Sequence, residues 1–167
     1  MIIPSRRNPK LTSSINPKLT SQINPKLTSR LNPKLTSNIN PKLTSAINPK
    51  LTSKINPKLT SKLNYKLTSS KNPKLTPSLN PKITSDIAGL YLFDLDLNLS
   101  GHIVFYSKEY WLLFDLNDNF QGVAIQAKEG FLNIFDLDNN YIGYFLHAKE
   151  NIYLHFHTDN EWCGSTT

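Results

Sequence analysis

A lysine stands at every eighth position of the first half of this chain, and the chemistry of such a row is anion binding. The lysines occupy one place in ten consecutive copies of an octapeptide, Asn-Pro-Lys-Leu-Thr-Ser-x-Ile/Leu, which runs from Asn8 to Ile87. Repulsion between neighbouring lysines is relieved when an anionic partner neutralises them. We therefore predict an anion-binding lysine row that consists of Lys10, Lys18, Lys26, Lys34, Lys42, Lys50, Lys58, Lys66, Lys74 and Lys82.

Charge is divided sharply between the two halves of the chain. Residues 1–87 contain sixteen of the nineteen lysines and arginines and one acidic residue, a net charge of +15. Residues 88–167 contain three lysines and eleven acidic residues, a net charge of −8. Such a basic segment is typical of proteins that meet polyanions or acidic surfaces. The expected partners are a nucleic-acid backbone, an anionic polysaccharide, an anionic lipid or an acidic protein surface, recognised by charge alone.

The acidic half contains all of the large aromatic side chains except Tyr65, including all eight phenylalanines and both tryptophans. These residues indicate a packed core, and some of them could also form a binding surface for a ligand with apolar faces. We predict a second candidate site, an aromatic surface, at Trp111, Phe120, Tyr141 and Trp162.

Acidic and histidine residues raise the question of a metal site. The segments that start at Asp94, Asp115 and Asp136 match the first half of a calcium loop, but large apolar residues stand where that loop needs glycine. Ordinary turn chemistry explains these residues, although calcium binding stays open. His155 and His157 form a pair, whereas zinc needs three or four ligands. We predict neither a metal nor a cofactor.

No catalytic motif is evident in the sequence. It contains no nucleophile elbow, phosphate-binding loop or metalloprotease motif, and Cys163 has no defined base beside it. Ten equal copies of one lysine are also more than a catalytic site needs. We therefore expect that this protein is not an enzyme.

The octads themselves permit only a few structures. Proline at every eighth residue excludes a long helix, because each proline removes a helical hydrogen bond. Asn-Pro-Lys-Leu suits a type I turn, and Thr-Ser-x-Ile is interpreted as a short extended stretch. Turns and short strands repeated ten times predict a narrow β-solenoid. The alternative is a disordered basic tether, because few residues are apolar and the charge is high.

A second, 21-residue repeat occupies the acidic half. Phenylalanine recurs at positions 93, 114, 135 and 156, and glycine recurs at positions 101, 122, 143 and 164. Between them lies an Asp/Asn-rich turn, so each unit is predicted to form a β-hairpin. Four hairpins that share one face can form a core, which one hairpin cannot do alone.

The combination of Asn-Pro-Lys-Leu-Thr-Ser octads with four aromatic hairpin units resembles the bacterial four-fold β-flower domain proteins. The resemblance covers essentially the whole chain and implies four short hairpins about a pseudo-four-fold axis. The function of that family is unknown. The hairpin units are also similar to the choline- and glucan-binding repeats of cell-wall proteins. This chain lacks the doubled Trp-Tyr-Tyr runs of those repeats.

We predict an all-β protein with three parts. Residues 1–7 form an N-terminal tail, residues 8–87 the basic octads, and residues 88–167 a compact domain of four hairpins in a pseudo-four-fold arrangement. The sequence shows neither a signal peptide nor an apolar run long enough to span a membrane. The default location is cytoplasmic, and non-classical export stays open.

The function predicted from these features is that of a non-catalytic interaction protein. The octads would engage an anionic partner, and the hairpin domain would recognise a protein or self-associate. One alternative is a structural protein that polymerises through its oppositely charged halves, giving a homo-oligomer. Another is a carbohydrate-binding module of the hairpin-repeat type that uses Trp111, Tyr141 and Trp162.

Overall fold

The acidic half of the chain forms a closed barrel of eight antiparallel strands, in which each strand pairs with its neighbours in sequence and β1 pairs with β8. The computed structural model describes residues 2–84 and 89–167. The strands are β1 (Gly89–Asp94), β2 (Leu99–Ser107), β3 (Tyr110–Phe114), β4 (Phe120–Lys128), β5 (Phe131–Asp136), β6 (Tyr141–Lys149), β7 (Ile152–His157) and β8 (Trp162–Thr166). The all-β fold class is confirmed.

The four predicted hairpins are present, and we number them 1 to 4 as the pairs β1–β2, β3–β4, β5–β6 and β7–β8. Their turns are equivalent. Each contains one residue in the left-handed conformation, with φ between 61° and 68°, at Leu97, Asp118, Asn139 and Asn160. Asparagine and aspartate tolerate this conformation better than other residues that have a side chain. The equal spacing of these four positions along the chain reflects the pseudo-four-fold arrangement of the barrel.

The repeated glycines are needed because neighbouring hairpins approach one another closely there. A Cβ atom on Gly143 would lie 2.4 Å from the carbonyl oxygen of Phe156, and one on Gly122 would lie 2.1 Å from that of Phe135. Gly101 and Gly164 make the same approach to the next hairpin. Any side chain at these four positions would push two strands apart.

The octads form an ordered series of 3-10 turns, and this differs in detail from the sequence prediction. Asn-Pro-Lys-Leu is a turn as predicted, with the Leu N–H bonded to the Asn carbonyl. The stretch predicted to be extended is a 3-10 turn instead, so the described octads contain no β-solenoid strand. The turns are Ser5–Arg7, Ser13–Ile15, Ser21–Ile23, Ser29–Leu31, Ser37–Ile39, Ser45–Ile47, Ser53–Ile55, Ser61–Leu63, Ser69–Lys71 and Pro77–Leu79.

Two hydrogen bonds recur through the octads and hold this shape. Within an octad, the Asn side-chain oxygen accepts the N–H of the lysine two residues later, as Asn16 Oδ1 does from Lys18 at 2.9 Å. Between octads, the threonine hydroxyl donates to the carbonyl of the preceding serine, as Thr20 does to Ser13 at 2.6 Å. Both bonds are local, so each octad can repeat the shape of the one before it.

Residues 2–84 wrap around the outside of the barrel, and we call this segment the collar. Its contacts pass around the barrel in the direction opposite to the strand order. Arg7 bonds to the carbonyls of Gly89 and Thr167 beside β1 and β8. Later collar residues meet β6, β5 and β3 in turn through the pairs Arg30–Ala148, Ile47–Asn133 and Leu63–Tyr110.

The barrel strands are covered on both faces. One face supplies the interior cluster, which contains Trp111, Leu132 and Phe145 and no collar residue. The outer face packs against the collar, where Ile23, Leu31, Ile39 and Ile47 join residues of β5 to β7 in one cluster. A second outer cluster surrounds Tyr65. The apolar last residue of the octads within residues 8–79 therefore points inward, and the collar takes its core from the barrel.

The two ends of the octads adjoin the other predicted parts of the chain. The junction of the octads and the hairpin domain at residues 87 and 88 lies outside the described residues. Within the predicted N-terminal tail, Ser5–Arg7 forms a turn in the register of the octads. Arg7 occupies the inward position, where its guanidinium lies 4.6 Å from the centre of the Tyr91 ring.

Candidate anion-binding surface

The ten side chains of the lysine row are all exposed. The octad turn determines their direction, because the Asn-Pro turn buries most of the prolines and leaves the next side chain pointing away from the barrel wall. The residue after each of these lysines, at position 4 of the octad, is a leucine or isoleucine that also faces solvent. These ten apolar side chains are 64–72 % exposed.

The lysine row lies along the edge of the collar that faces the hairpin turns. Every third octad lies beside another hairpin turn, so the same contact between a lysine and a turn recurs once per hairpin. In this series the lysine Nζ lies 2.5–2.8 Å from an Asn or Glu side-chain oxygen, in the pairs Lys10–Asn98, Lys34–Glu161, Lys58–Asn140 and Lys82–Asn119. The lysine row and the acidic turns thus meet within one chain.

The ion pairs in this contact are weak. Lys18 lies 3.9 Å from Asp96, with the two side chains 44 % and 85 % exposed, and Lys66 lies 3.5 Å from Asp138 in a similar setting. Exposed pairs of this kind contribute about 0–1 kcal/mol, because water and salt screen them. An external anion can therefore compete with the turns for these lysines.

Grooves of about 220–230 Å³ lie between the lysine row and the turns of hairpins 2, 3 and 4. The groove at hairpin 3 is lined by Lys50, Lys58, Asn139 and Tyr141 among others. The groove at hairpin 2 is its counterpart, with Lys74 and Lys82 in place of the two lysines. Each groove thus combines two lysines with an Asn- or Asp-containing turn.

The turn aspartates already have hydrogen-bond partners. Asp115 Oδ1 accepts the N–H groups of Asn117 and Asn119, and the bond from Asn119 lowers the pKa of Asp115 most. Burial opposes ionisation of Asp136, but hydrogen bonds from Asn140 and Asp138 lower the pKa of its carboxyl below the usual value. These aspartates thus make the hydrogen bonds of an ordinary turn, as the sequence predicted. Within residues 2–84 and 89–167, no three His, Cys, Asp or Glu side chains are grouped to hold a metal ion.

His155 and His157 lie on β7, and Cys163 lies on β8. Burial, together with nearby His157, lowers the pKa of His155 to about 4. Burial raises the pKa of the Cys163 thiol to about 12, so the thiol stays protonated near neutral pH. His102 instead belongs to the outer face, where its Nε2 lies 2.8 Å from Asp118 Oδ1.

The aromatic surface predicted from the sequence is not one surface. Phe120, Tyr141 and Trp162 stand at equivalent positions on the outer face, where they pack beside the collar. Trp111 was wrongly included, because it points into the barrel, is 2 % exposed and packs against Phe145 and Tyr153. Neighbouring residues of a strand point to opposite faces, and every residue of β3 is buried.

Sequence reasoning missed several residues that join the collar to the barrel. Tyr65 replaces the octad proline, and its hydroxyl donates to the Leu137 carbonyl at 2.6 Å. Lys71 replaces the inward isoleucine and lies 4.8 Å from the centre of the Tyr110 ring. Both departures from the octad consensus were visible in the sequence, and they were the available signal.

Comparisons of this chain with protein-family models, with curated proteins and with solved structures found no match. In the part of the chain that the structure describes, no helix has the length and apolar composition needed to cross a bilayer. Function must therefore be inferred from the geometry of the collar and the barrel.

Proposed function

We propose that this protein is a non-catalytic binding protein whose collar presents the lysine row to an anionic partner. One observation carries the proposal: the lysine is present in all ten octads although the octad fold does not need it. Its side chain is exposed, and the bond that it supplies to the turn comes from its backbone N–H, which most residues have.

The other octad positions show which residues the octad fold needs and which can vary. Position 1 is asparagine because its side chain caps the turn, and position 5 is threonine because its hydroxyl links successive octads. The exposed position 7 changes freely, as Gln22, Ala46 and Lys54 illustrate. A solvent-facing position that stays lysine ten times among such variation suggests selection for binding by charge.

The chemistry of the row favours recognition of charge density. Lysine is a compact, flexible cation that does not form the bidentate contacts of arginine. Few aromatic side chains are available beside the row, so base stacking is not favoured. We therefore propose an anionic polymer or surface as the partner, bound with a strong dependence on salt. The barrel would recognise a protein or associate with a second copy, and the hairpin arrangement supports membership of the four-fold β-flower family.

A second candidate function, assembly of many copies, is favoured by the exposed apolar position 4 of the octads. Large exposed apolar surfaces often become buried between proteins. The version of assembly based on oppositely charged halves is less favoured, because Lys34 and Glu161 already contact each other within the chain. The two versions respond differently to salt, since screening weakens charge contacts and not apolar ones.

The test compares two double variants that remove equal charge. Lys26→Gln with Lys34→Gln changes the lysine row, whereas Lys54→Gln with Lys62→Gln changes position 7. We expect the first pair to weaken heparin binding and to reduce the salt slope by about one unit per lost contact. The second pair should have a clearly smaller effect.

Equal effects of the two pairs, or no heparin binding by the wild type at low salt, would contradict the proposal. Sedimentation of the wild type at low and high salt tests assembly in the same samples. A monomer at both salt concentrations argues against assembly.

A further inference from the structure

One octad has a charged residue at the inward eighth position. In the octads of residues 8–79, this residue is isoleucine or leucine except at Lys71. Ile47 occupies the same position three octads earlier and joins Phe131 and Ala127 in an apolar cluster. A lysine amine loses hydration when it replaces such a side chain, which is costly unless other groups compensate. Packing of the collar alone therefore favours isoleucine at position 71.

Two tyrosines accompany Lys71. The 21-residue repeat has Tyr106 and Tyr110 where the next unit has alanine and phenylalanine. The Lys71 amine lies 4.8 Å from the centre of the Tyr110 ring and 5.5 Å from that of the Tyr106 ring. It also donates a hydrogen bond to the Lys62 carbonyl. These contacts hold the amine in place, but they leave its positive charge without a negative partner.

A cavity of about 280 Å³ lies beside this lysine. Lys71, Tyr106 and Glu109 line it, and Leu63 and Ile125 add apolar surface. Tyr106 is 40 % exposed, so this part of the cavity wall is open to a ligand. The described residues that line the cavity include no member of the lysine row. The cavity is therefore a separate place in the molecule, between the collar and strands β2 to β4.

The two charged side chains of this cavity have opposite signs and do not neutralise each other. Among the described residues, no carboxylate lies within salt-bridge distance of the Lys71 amine, and no amine lies within that distance of the Glu109 carboxylate. The other lining residues are uncharged. Such a lining favours a ligand that itself carries two opposite charges, because each charge of the ligand then meets its complement.

We propose that this cavity binds an apolar α-amino acid in its zwitterionic form. The carboxylate of the ligand accepts a hydrogen bond from Lys71 Nζ, and its ammonium group donates to the Glu109 carboxylate. The apolar side chain of the ligand packs against Leu63, Ile125 and the Tyr106 ring. The volume, about 280 Å³, is below the roughly 300–1,000 Å³ of sites for drug-sized ligands and suits a ligand as small as one amino acid.

Three probes test whether both charges of the ligand are used. Leucine has a carboxylate and an ammonium group, leucinamide lacks the carboxylate, and N-acetylleucine lacks the ammonium group. Binding to the full chain is measured by calorimetry and by NMR titration at pH 6.5 and one ionic strength. We expect leucine to bind about tenfold or more tightly than either other probe, because each of those leaves one charge of the cavity without a partner. Leucine should also shift the side-chain amide of Gln126, which lines the cavity.

Lys71→Ile is the principal variant, because isoleucine occupies the equivalent position 47 and the fold accepts it there. It should weaken leucine binding about tenfold or more and leave leucinamide binding unchanged. Glu109→Gln should weaken leucine binding and leave N-acetylleucine binding unchanged. Lys62→Gln is the control, since it removes an exposed charge next to the cavity but keeps the carbonyl that Lys71 contacts. It should change leucine binding less than twofold.

The outcomes bear on this inference and on the proposed function separately. If leucine does not bind, or if leucinamide or N-acetylleucine binds as tightly as leucine, the amino-acid site is wrong. The same holds if Lys71→Ile or Glu109→Gln leaves leucine binding unchanged, or if Lys62→Gln weakens it as much as Lys71→Ile does. Heparin binding by the lysine row does not involve this cavity, so the proposed function is judged by its own test.

Discussion

The collar and the barrel are both built from repeats, but different contacts hold the two repeats together. The hydrogen bonds that recur in the octads join residues two to seven positions apart, as in the bond from Thr20 to Ser13. Barrel hydrogen bonds join whole strands, and β1 pairs with β8 from the other end of the domain. The collar has a shape of its own but no core of its own. The barrel has both an interior core and an outer apolar face that the collar covers.

The two repeat lengths are matched through geometry and not through sequence. The lysine that contacts a turn recurs at every third octad, while the turn recurs once in each 21-residue hairpin unit. A uniform collar can follow a varied barrel, because local bonds specify its shape and the barrel provides its packing. Two departures from the octad, Tyr65 and Lys71, contact the barrel directly.

The largest expected effect comes from separating the two regions. A fragment of residues 1–84 should show no cooperative thermal transition by circular dichroism, because its inward isoleucines lose their partners. A fragment of residues 85–167 should aggregate, because its outer apolar face becomes exposed. Mixing the fragments during refolding should restore a cooperative transition. A cooperative transition of fragment 1–84 alone would show that the collar folds without the barrel.

The two apolar positions of one collar region should differ strongly in their effect on stability. Ile47 is 1 % exposed, so Ile47→Ala should lower the free energy of unfolding by about 2–5 kcal/mol. Leu51 is 68 % exposed, so Leu51→Ala should change it by less than about 0.5 kcal/mol. Urea denaturation measures both values. Similar losses for the two variants would contradict the inward and outward assignment.

Acid should destabilise the barrel through His155. Its pKa is lowered to about 4 in the folded state, so between that value and the ordinary value near 6.5 the unfolded chain binds the extra proton. The contribution is therefore complete above about pH 6.5 and is lost as the pH falls towards 4, by up to about 3 kcal/mol.

His155→Leu should reduce this loss, since leucine stands at the equivalent position 113 of hairpin 2. Denaturation at pH 7 and pH 4.5 measures the difference, with His157→Leu as the control. An unchanged pH dependence in His155→Leu would rule out this residue as the cause.

Replacing a glycine where neighbouring hairpins approach closely should have a smaller effect, a loss of about 1–3 kcal/mol in the free energy of unfolding. Gly143→Val should lower the free energy of unfolding, because its Cβ would meet the Phe156 carbonyl. Ile142→Val changes the exposed neighbour and should cost less than about 0.5 kcal/mol. The melting temperatures of the two variants compare them directly. Equal values would mean that the strands can separate at little cost.

The hairpin register could be read from the sequence because its determinants are local or strictly periodic. Aspartate and asparagine favour the left-handed turn wherever they occur, and glycine recurs at each close approach. The same is true of the octad turn, since its asparagine cap acts within four residues. The spacing of the lysine row was equally evident, and with it the candidate anion-binding surface.

The packing of the two halves could not be read in this way. Every residue of β3 is buried, so no polar alternation indicated that Trp111 faces the interior while Leu112 faces the collar. The Thr-Ser-x-Ile stretch is short enough to be a strand or a 3-10 turn. In the structure it is a 3-10 turn whose last residue packs against the barrel.

The sequence by itself determined the repeats, their turns and the positions of the charges, because each of these depends on residues close together in the chain. Only the tertiary structure decided that the octads surround the barrel and that their lysines meet the acidic turns. It also decided which turn residues find a hydrogen-bond partner. Asp118 and Asn160 have one, whereas, among the described residues, the side-chain oxygen of Asn139 has none. These features depend on contacts between residues 16 to 160 positions apart, and no local preference specifies them.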